Sequence, residues 1–127
     1  MTDPERADPR RALGARGEAL AAALLARAGY RIAARNVRAA GVELDLVAVR
    51  GGLVVVVEVK TRRGRGFGAP EEAVDARKRA RLVRGGQAWL REHRPRARRL
   101  RFDVVSCELG AAGWSLRHLE DAFGAGD

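Results

Sequence analysis

A chain of 127 residues, with 25 lysines and arginines against 16 acids and a formal charge of +9, is long enough for one domain that buries a core without covalent staples. Its single cysteine, Cys107, excludes an internal disulfide and suits a reducing cytosol, and with only His93 and His118 beside it no zinc site can be built. No apolar run is long enough to span a bilayer and Met1 to Glu5 lacks the apolar core of a signal peptide, so a soluble, cytoplasmic protein with no membrane segment is expected.

Residues 1–8 are polar and read as a flexible N-terminus, ahead of a single domain over 9–123 and a short tail over 124–127. Asp8-Pro9 has the form of an N-cap followed by proline at the first helical position, and Gly29 that of the residue past the end. Together they predict a helix from Pro9 to Ala28. Its apolar stripe is Leu13, Gly17, Leu20, Leu24 and Ala28, flanked by Glu18, Ala22 and Leu25, so Glu18 points obliquely toward the core side. Pairing with Arg11 or Arg16 is the simpler alternative for that glutamate. Tyr30 to Val37 reads as a first strand and Arg38 to Gly41 as a turn.

Val42 to Val49 and Leu53 to Lys60 are two runs rich in β-branched residues, joined through Arg50-Gly51-Gly52 as a hairpin. With the two glycines as the turn, Arg50 faces Leu53, Asp45 faces Glu58 and Glu43 faces Lys60, which puts three acids and a lysine on one side of the sheet. The opposite side pairs Leu44 with Val59, Leu46 with Val57 and Ala48 with Val55, and a slip of one residue would scramble both sides. Directly opposed Cβ atoms lie about 4.5–5.5 Å apart. Asp45 and Glu58 would therefore repel unless a cation sat between them, and a hard divalent ion with oxygen ligands fits. The alternative, carboxylate–lysine pairs on a solvated face, is disfavoured because Val54 to Val57 reads as a strand buried on both sides.

Thr61 to Ala69 is a glycine-arginine loop in which Arg62, Arg63 and Arg65 could meet phosphates, or which could be merely a disordered basic segment. Pro70 opens a second helix to about His93, with Glu71 and Glu72 in its first turn. Val74, Leu82, Gly86, Trp89 and Leu90 form its inward stripe. Lys78 shares that side and either reaches a scissile phosphate or snorkels outward. Arg77, Arg79, Arg81, Arg84 and Arg91 face out as a solvated or phosphate-tracking surface, and Gly85-Gly86 marks a kink or close packing. Leu100 to Cys107 alternates as a fourth strand, and Trp114 to Leu119 as a short edge strand leading to Phe123, with Asp103 and His118 read as structural.

Asp45 followed by Glu58-Val59-Lys60 has the form D-x(n)-E-x-K, and on these residues the chain resembles the PD-(D/E)XK, or restriction-endonuclease-like, nucleases. More closely it resembles the small bacterial YraN-like (UPF0102) family, related to archaeal Holliday-junction resolvases. The likeness runs through Gly17-Glu18, Gly29-Tyr30, Arg35-Asn36, Glu43 to Val47, Val57 to Arg62, Phe67-Gly68, Lys78, Arg101 to Val105 and Ala122-Phe123. It departs where Val42 precedes Glu43, since the family reads Gly-Glu-x-Asp and Gly41 stands one place early. The resemblance implies an α/β, restriction-endonuclease-like mixed central sheet flanked by helices, in the order helix, strand, hairpin, helix, strand, short strand.

It also implies an endonuclease dependent on Mg²⁺ or Mn²⁺ that hydrolyses DNA in repair or recombination, and a homodimer like the related resolvases. With two tryptophans, one tyrosine and three phenylalanines there is little for base stacking, so preference for a DNA shape, such as a branch or flap, is expected over a sequence. Asp45, Glu58 and the Val59 carbonyl would hold one or two ions, Lys60 would orient water and stabilise the phosphate, and Glu18 and Glu43 would support them. Only Lys60 and Lys78 are lysines in a chain otherwise committed to arginine, as a site needing a compact ammonium would require. Two other readings stay open. One is a nuclease-fold protein that binds nucleic acid or acts as an adaptor without cutting. The other is a metal-independent RNA endonuclease, whose Tyr/His/Lys set Tyr30, His93 and His118 are poorly spaced to make.

Overall fold

The computed structural model describes residues 9–64 and 74–124. Its first element, α1 (Pro9–Arg27), stops where Gly29 takes φ +95°, which few side chains tolerate. Gly29 N–H then donates to Ala26 O at 3.1 Å and Tyr30 N–H to Leu25 O at 3.0 Å, which satisfies the last carbonyls and sets Tyr30 beside Leu25 in the core. The buried stripe is Gly17, Ala21, Ala22 and Leu25, not the line from Leu13 to Ala28, and Ala28 is exposed. Small residues win that face because they let the helix lie close to the sheet, and the rotation turns Glu18 further toward it.

β1 (Arg31–Ala39), β2 (Val42–Arg50) and β3 (Leu53–Arg63) form an antiparallel meander. The first turn is only Ala40-Gly41, with φ of +51° and +75°, the left-handed pair of a two-residue hairpin. Glycine stands one place ahead of Val42 because the turn needs it there, while Val42 is already paired with Ala39. In the second hairpin the expected register holds from Arg50↔Leu53 to Leu46↔Val57. There it ends.

Beyond Leu46, β2 stays with β1, so that Leu44 pairs with Val37 and Glu43 with Arg38. β3 instead follows β4 (Arg99–Gly110), in parallel, as far as Arg63↔Leu109. Neither Asp45–Glu58 nor Glu43–Lys60 is therefore a ladder pair, and β3 runs two residues past Thr61 into the stretch expected to be a loop. β5 (Gly113–Phe123) closes the far edge antiparallel to β4 and is a long strand, not a short one. The five strands lie in chain order across the sheet.

A parallel β3–β4 pair requires a crossover, and α2 (Ala76–His93) makes it. This helix begins six residues later than expected. Asp75 is extended, at φ −73° and ψ 171°, and caps it by accepting Lys78 N–H at 2.9 Å. Arg65, Phe67, Gly68, Pro70, Glu71 and Glu72 lie outside the described residues. α2 runs unbroken through Gly85-Gly86, whose role is close packing: a Cβ on Gly86 would sit 2.7 Å from Phe102 Cε1.

Alternation along the central strands divides the core. Val47, Val49, Val54 and Val56 meet Leu82, Trp89 and Phe102 under α2, while Leu46, Ala48, Val55 and Val57 meet Ala21, Leu25 and Tyr30 under α1. A mixed five-stranded sheet between two helices results, consistent with the restriction-endonuclease-like fold. Among the described residues no helix is long and apolar enough to cross a membrane.

Candidate active site

Where β2 parts from β3, backbone groups on the facing edges lose their ladder partners. One of them is met by a side chain: Val59 N–H donates to Asp45 Oδ2 at 2.9 Å. In an extended strand a residue's C=O shares the side of its N–H, so the Val59 carbonyl faces the same gap.

Glu58, 6% exposed, stands beside it and accepts from Lys78 Nζ at 2.7 Å, with Lys60 Nζ 3.9 Å from the same oxygen. Lys78 is thus brought inward by the first turn of α2, as its spacing suggested, and it is engaged with a carboxylate. Glu18 reaches the site from α1 and accepts from Asn36 Nδ2 at 3.3 Å, not from Arg11 or Arg16. Its approach depends on Gly17, where a Cβ would overlap the Thr61 hydroxyl and lie 2.8 Å from Thr61 Cγ2. We expect Gly17→Ala to cost about 1–3 kcal/mol through this overpacking and to push Glu18 outward. An unchanged urea midpoint would show that the helix has room to spare.

Asn36 was not anticipated as a contributor. It holds φ +48° within β1 and, on the count set by Arg35↔Leu46 and Val37↔Leu44, stands opposite Asp45. An asparagine inside a strand is a poor β-former that tolerates left-handed backbone, and that misfit was the signal available in the sequence.

The charges interact strongly. Burial, then the Glu58 carboxylate, pushes the Asp45 carboxyl up to about 7; Val59 N–H opposes the shift, Glu18 adds to it and Lys78 opposes it. Lys60 is held below the ordinary lysine range by burial and by the hydrogen bond and charge of Lys78, against Glu58 and Asp45. Burial also works against the charge on Lys78, but the hydrogen bond and charge of Glu58 outweigh it and hold Lys78 above that range.

These groups open on a groove of about 490 Å³ lined by Glu43, Asp45, Glu58, Asp75, Arg77, Lys78 and Arg81. Glu43 is exposed there. Of the arginines expected to meet phosphate, Arg62 and Arg63 lie at the end of β3, and both line a cavity beside the start of α1 and not the groove that holds Glu58. Arg65 lies outside the described residues.

Asp45, Glu58 and the Val59 carbonyl form an all-oxygen donor set with mutually repelling acids, which suits a hard divalent cation. Among the described residues no three His, Cys, Asp or Glu side chains converge to hold one, so Glu18 and Glu43 belong to the surroundings of that set.

Asp103 and His118 pair with each other outside the groove. Asp103, fully buried, accepts from Arg101 Nε and an Arg101 Nη at 2.8 Å and from Asp121 N–H at 2.9 Å, and lies 2.7 Å from His118 Nε2. Burial alone would raise this carboxyl, but those partners keep it below the ordinary range. The Cys107 thiol is free and buried, and that burial pushes it up to about 11.

A model of the uncharacterised protein family UPF0102 matches residues 17–107, a span that holds all the acids and lysines of the groove. A UPF0102 protein of Nitratidesulfovibrio vulgaris strain DP4 is 46% identical over 116 residues, 91% of this chain and 87% of the relative. One of Symbiobacterium thermophilum is 47% identical over 116 residues, 91% of this chain and 98% of the relative. One of Moorella thermoacetica is 50% identical over 100 residues, covering 79% and 83%. With matches this long and this close over the span that builds the sheet and its groove, the chain belongs to the UPF0102 family.

Proposed function

We propose that this protein is a divalent-metal-dependent endonuclease that hydrolyses phosphodiester bonds in DNA. The observation that carries the reading is the meeting of Asp45 and Glu58 with two ammonium groups where β2 leaves β3, an arrangement in which Asp45 resists ionisation until about pH 7. A fold that merely needed stability would not bury acids against each other there. Asp45, Glu58 and the Val59 carbonyl are the groups that would hold Mg²⁺ or Mn²⁺, which when bound would neutralise charge on the phosphate and make water a better nucleophile.

Lys60, on the same strand face as Glu58, is placed to orient the attacking water and to stabilise negative charge building on the phosphate. Lys78, on the groove wall, is the second cation for that charge. Asn36, opposite Asp45 on β1, holds Glu18 of α1 where its charge bears on Asp45, and Glu43 contributes to the field at the groove mouth. Contacts of this kind read phosphates and shape, so branched or flapped duplex is the proposed substrate class.

A second reading, a nucleic-acid-binding or adaptor protein without catalysis, is favoured by one observation: Lys78 already neutralises Glu58 at 2.7 Å. Incubation of the protein with branched and linear duplexes in Mg²⁺ or Mn²⁺ separates the two, with Glu58→Gln as control. We expect cleavage of the branched duplex that the substitution abolishes. Tight binding with no cleavage in either metal would instead establish the adaptor.

A further inference from the structure

α2 carries four exposed arginines, Arg77, Arg81, Arg84 and Arg91. At about 100° per residue their spacings of four, three and seven place all four within an arc of roughly 80°, a single row about 21 Å long. The arginines of α1 are arranged differently: Arg10, Arg11, Arg16 and Arg27 are scattered around that helix by the same count. None of the four α2 guanidinium groups is ion-paired among the described residues, and Glu92 is the one acid α2 contains. An ordinary solvated helix face mixes both signs at i, i+4 spacing, and this one does not.

The row has defined ends. Arg77 and Arg81 line the groove that holds Asp45 and Glu58. At the other end Arg91 lines a cavity of about 400 Å³ beside the start of β4, which Gln87, Arg98 and Arg99 also border. The row is therefore a basic path from the groove that holds the carboxylates to a second basic cavity at the C-terminal end of α2. It offers no stacking surface, since Trp89 is 4% exposed with His93 stacked on it at 4.6 Å.

We infer that α2 is a rail for the backbone of double-stranded nucleic acid, along which the duplex extends from the candidate site to the cavity that Arg91 shares with Arg98 and Arg99. This deepens the nuclease reading and rests on it. At 3.4 Å of rise per base pair, the rail spans about six pairs to one side of the cut. The missing aromatic surface selects duplex over single strand. The footprint is one-sided, because the basic row leaves the groove in one direction only.

The test is binding of fluorescently labelled duplex by the full chain in EDTA, where nothing is cut, over a range of salt. Arg84→Gln/Arg91→Gln removes two rail charges remote from the carboxylates, and Arg11→Gln/Arg27→Gln removes two from α1 on the other face. Melting curves first establish that both variants are folded. The rail variant should lose about tenfold in affinity, and its slope of log affinity against log salt should shrink by about 1.8, at roughly 0.9 for each phosphate no longer neutralised. The α1 variant should match the parent.

If the parent binds and cuts duplex while the rail variant binds as the parent does, the rail is wrong and the nuclease reading survives. Equal losses in both variants would mean diffuse charge and would also remove the rail. Tighter binding of a single strand than of duplex, or binding to phosphatidylserine vesicles with none to duplex, overturns the choice of partner. A parent that binds no nucleic acid at all defeats the nuclease reading itself.

Discussion

Asp45→Asn is expected to melt several degrees above the parent at pH 8 in EDTA, an advantage that shrinks as the pH falls through 7 and disappears toward pH 4. The cause is the carboxyl pushed up to about 7 by burial and by Glu58. A group whose folded-state pKa is raised binds a proton on folding. It therefore contributes full stability below its unfolded value, near 3.8, and loses that contribution as the pH rises through 7. Above pH 7 the parent carries a half-buried negative charge next to Glu58, and asparagine does not.

At about 1.4 kcal/mol per pH unit the interval from 3.8 to about 7 caps the effect near 4 kcal/mol, and local relaxation brings it to about 2. Asparagine keeps an oxygen for Val59 N–H, so the comparison isolates charge. Calorimetry from pH 5 to 9 reads the result, and a variant no more stable than the parent at pH 8 would show that Asp45 is not under electrostatic stress. The same experiment tests the metal. Mg²⁺ or Mn²⁺ should raise the melting temperature of the parent at pH 8, by an amount that grows with the logarithm of concentration above the dissociation constant. It should do little for Asp45→Asn, which has lost a ligand charge. A parent indifferent to both ions would argue for the adaptor reading.

Lys60→Met should reduce duplex cleavage by about 10²–10³-fold, the scale of removing one preorganised stabilising group from a transition state, while leaving duplex affinity within a few-fold of the parent. Lys60→Arg should rescue little. A guanidinium is larger, planar and always charged, and burial together with Lys78 has already drawn the ammonium below its ordinary range. Single-turnover rates at saturating protein separate chemistry from binding. Cleavage that persists in Lys60→Met at the parent's rate would place the chemistry elsewhere or in a contaminant.

The groups most directly tied to one another were legible from residue order. The hairpin register through Leu46↔Val57 follows from a glycine turn and strict alternation, because strands joined by a short turn have few alternative pairings. The same alternation put Asp45, Glu58 and Lys60 on one side of the sheet, but it fails at Leu44, which packs with Val47 and Val49 under α2 and not with Leu46, Ala48 and Val59 under α1. The inward face of Lys78 followed from helical spacing, and the end of α1 from Gly29.

Assembly decided the rest. β2 leaves β3 at Asp45 because β1 and β4 claim their outer edges, and that competition involves strands up to fifty residues away, so Asp45 meets a free N–H in place of a ladder partner. Lys78 finds Glu58, and Glu18 finds Asn36, only once two helices are seated on opposite sides of one sheet. Local propensity and turn chemistry act within a few residues and can be read along the chain. The partner of a buried charge depends on which distant segment excludes water from it, and that is settled only when the whole core packs.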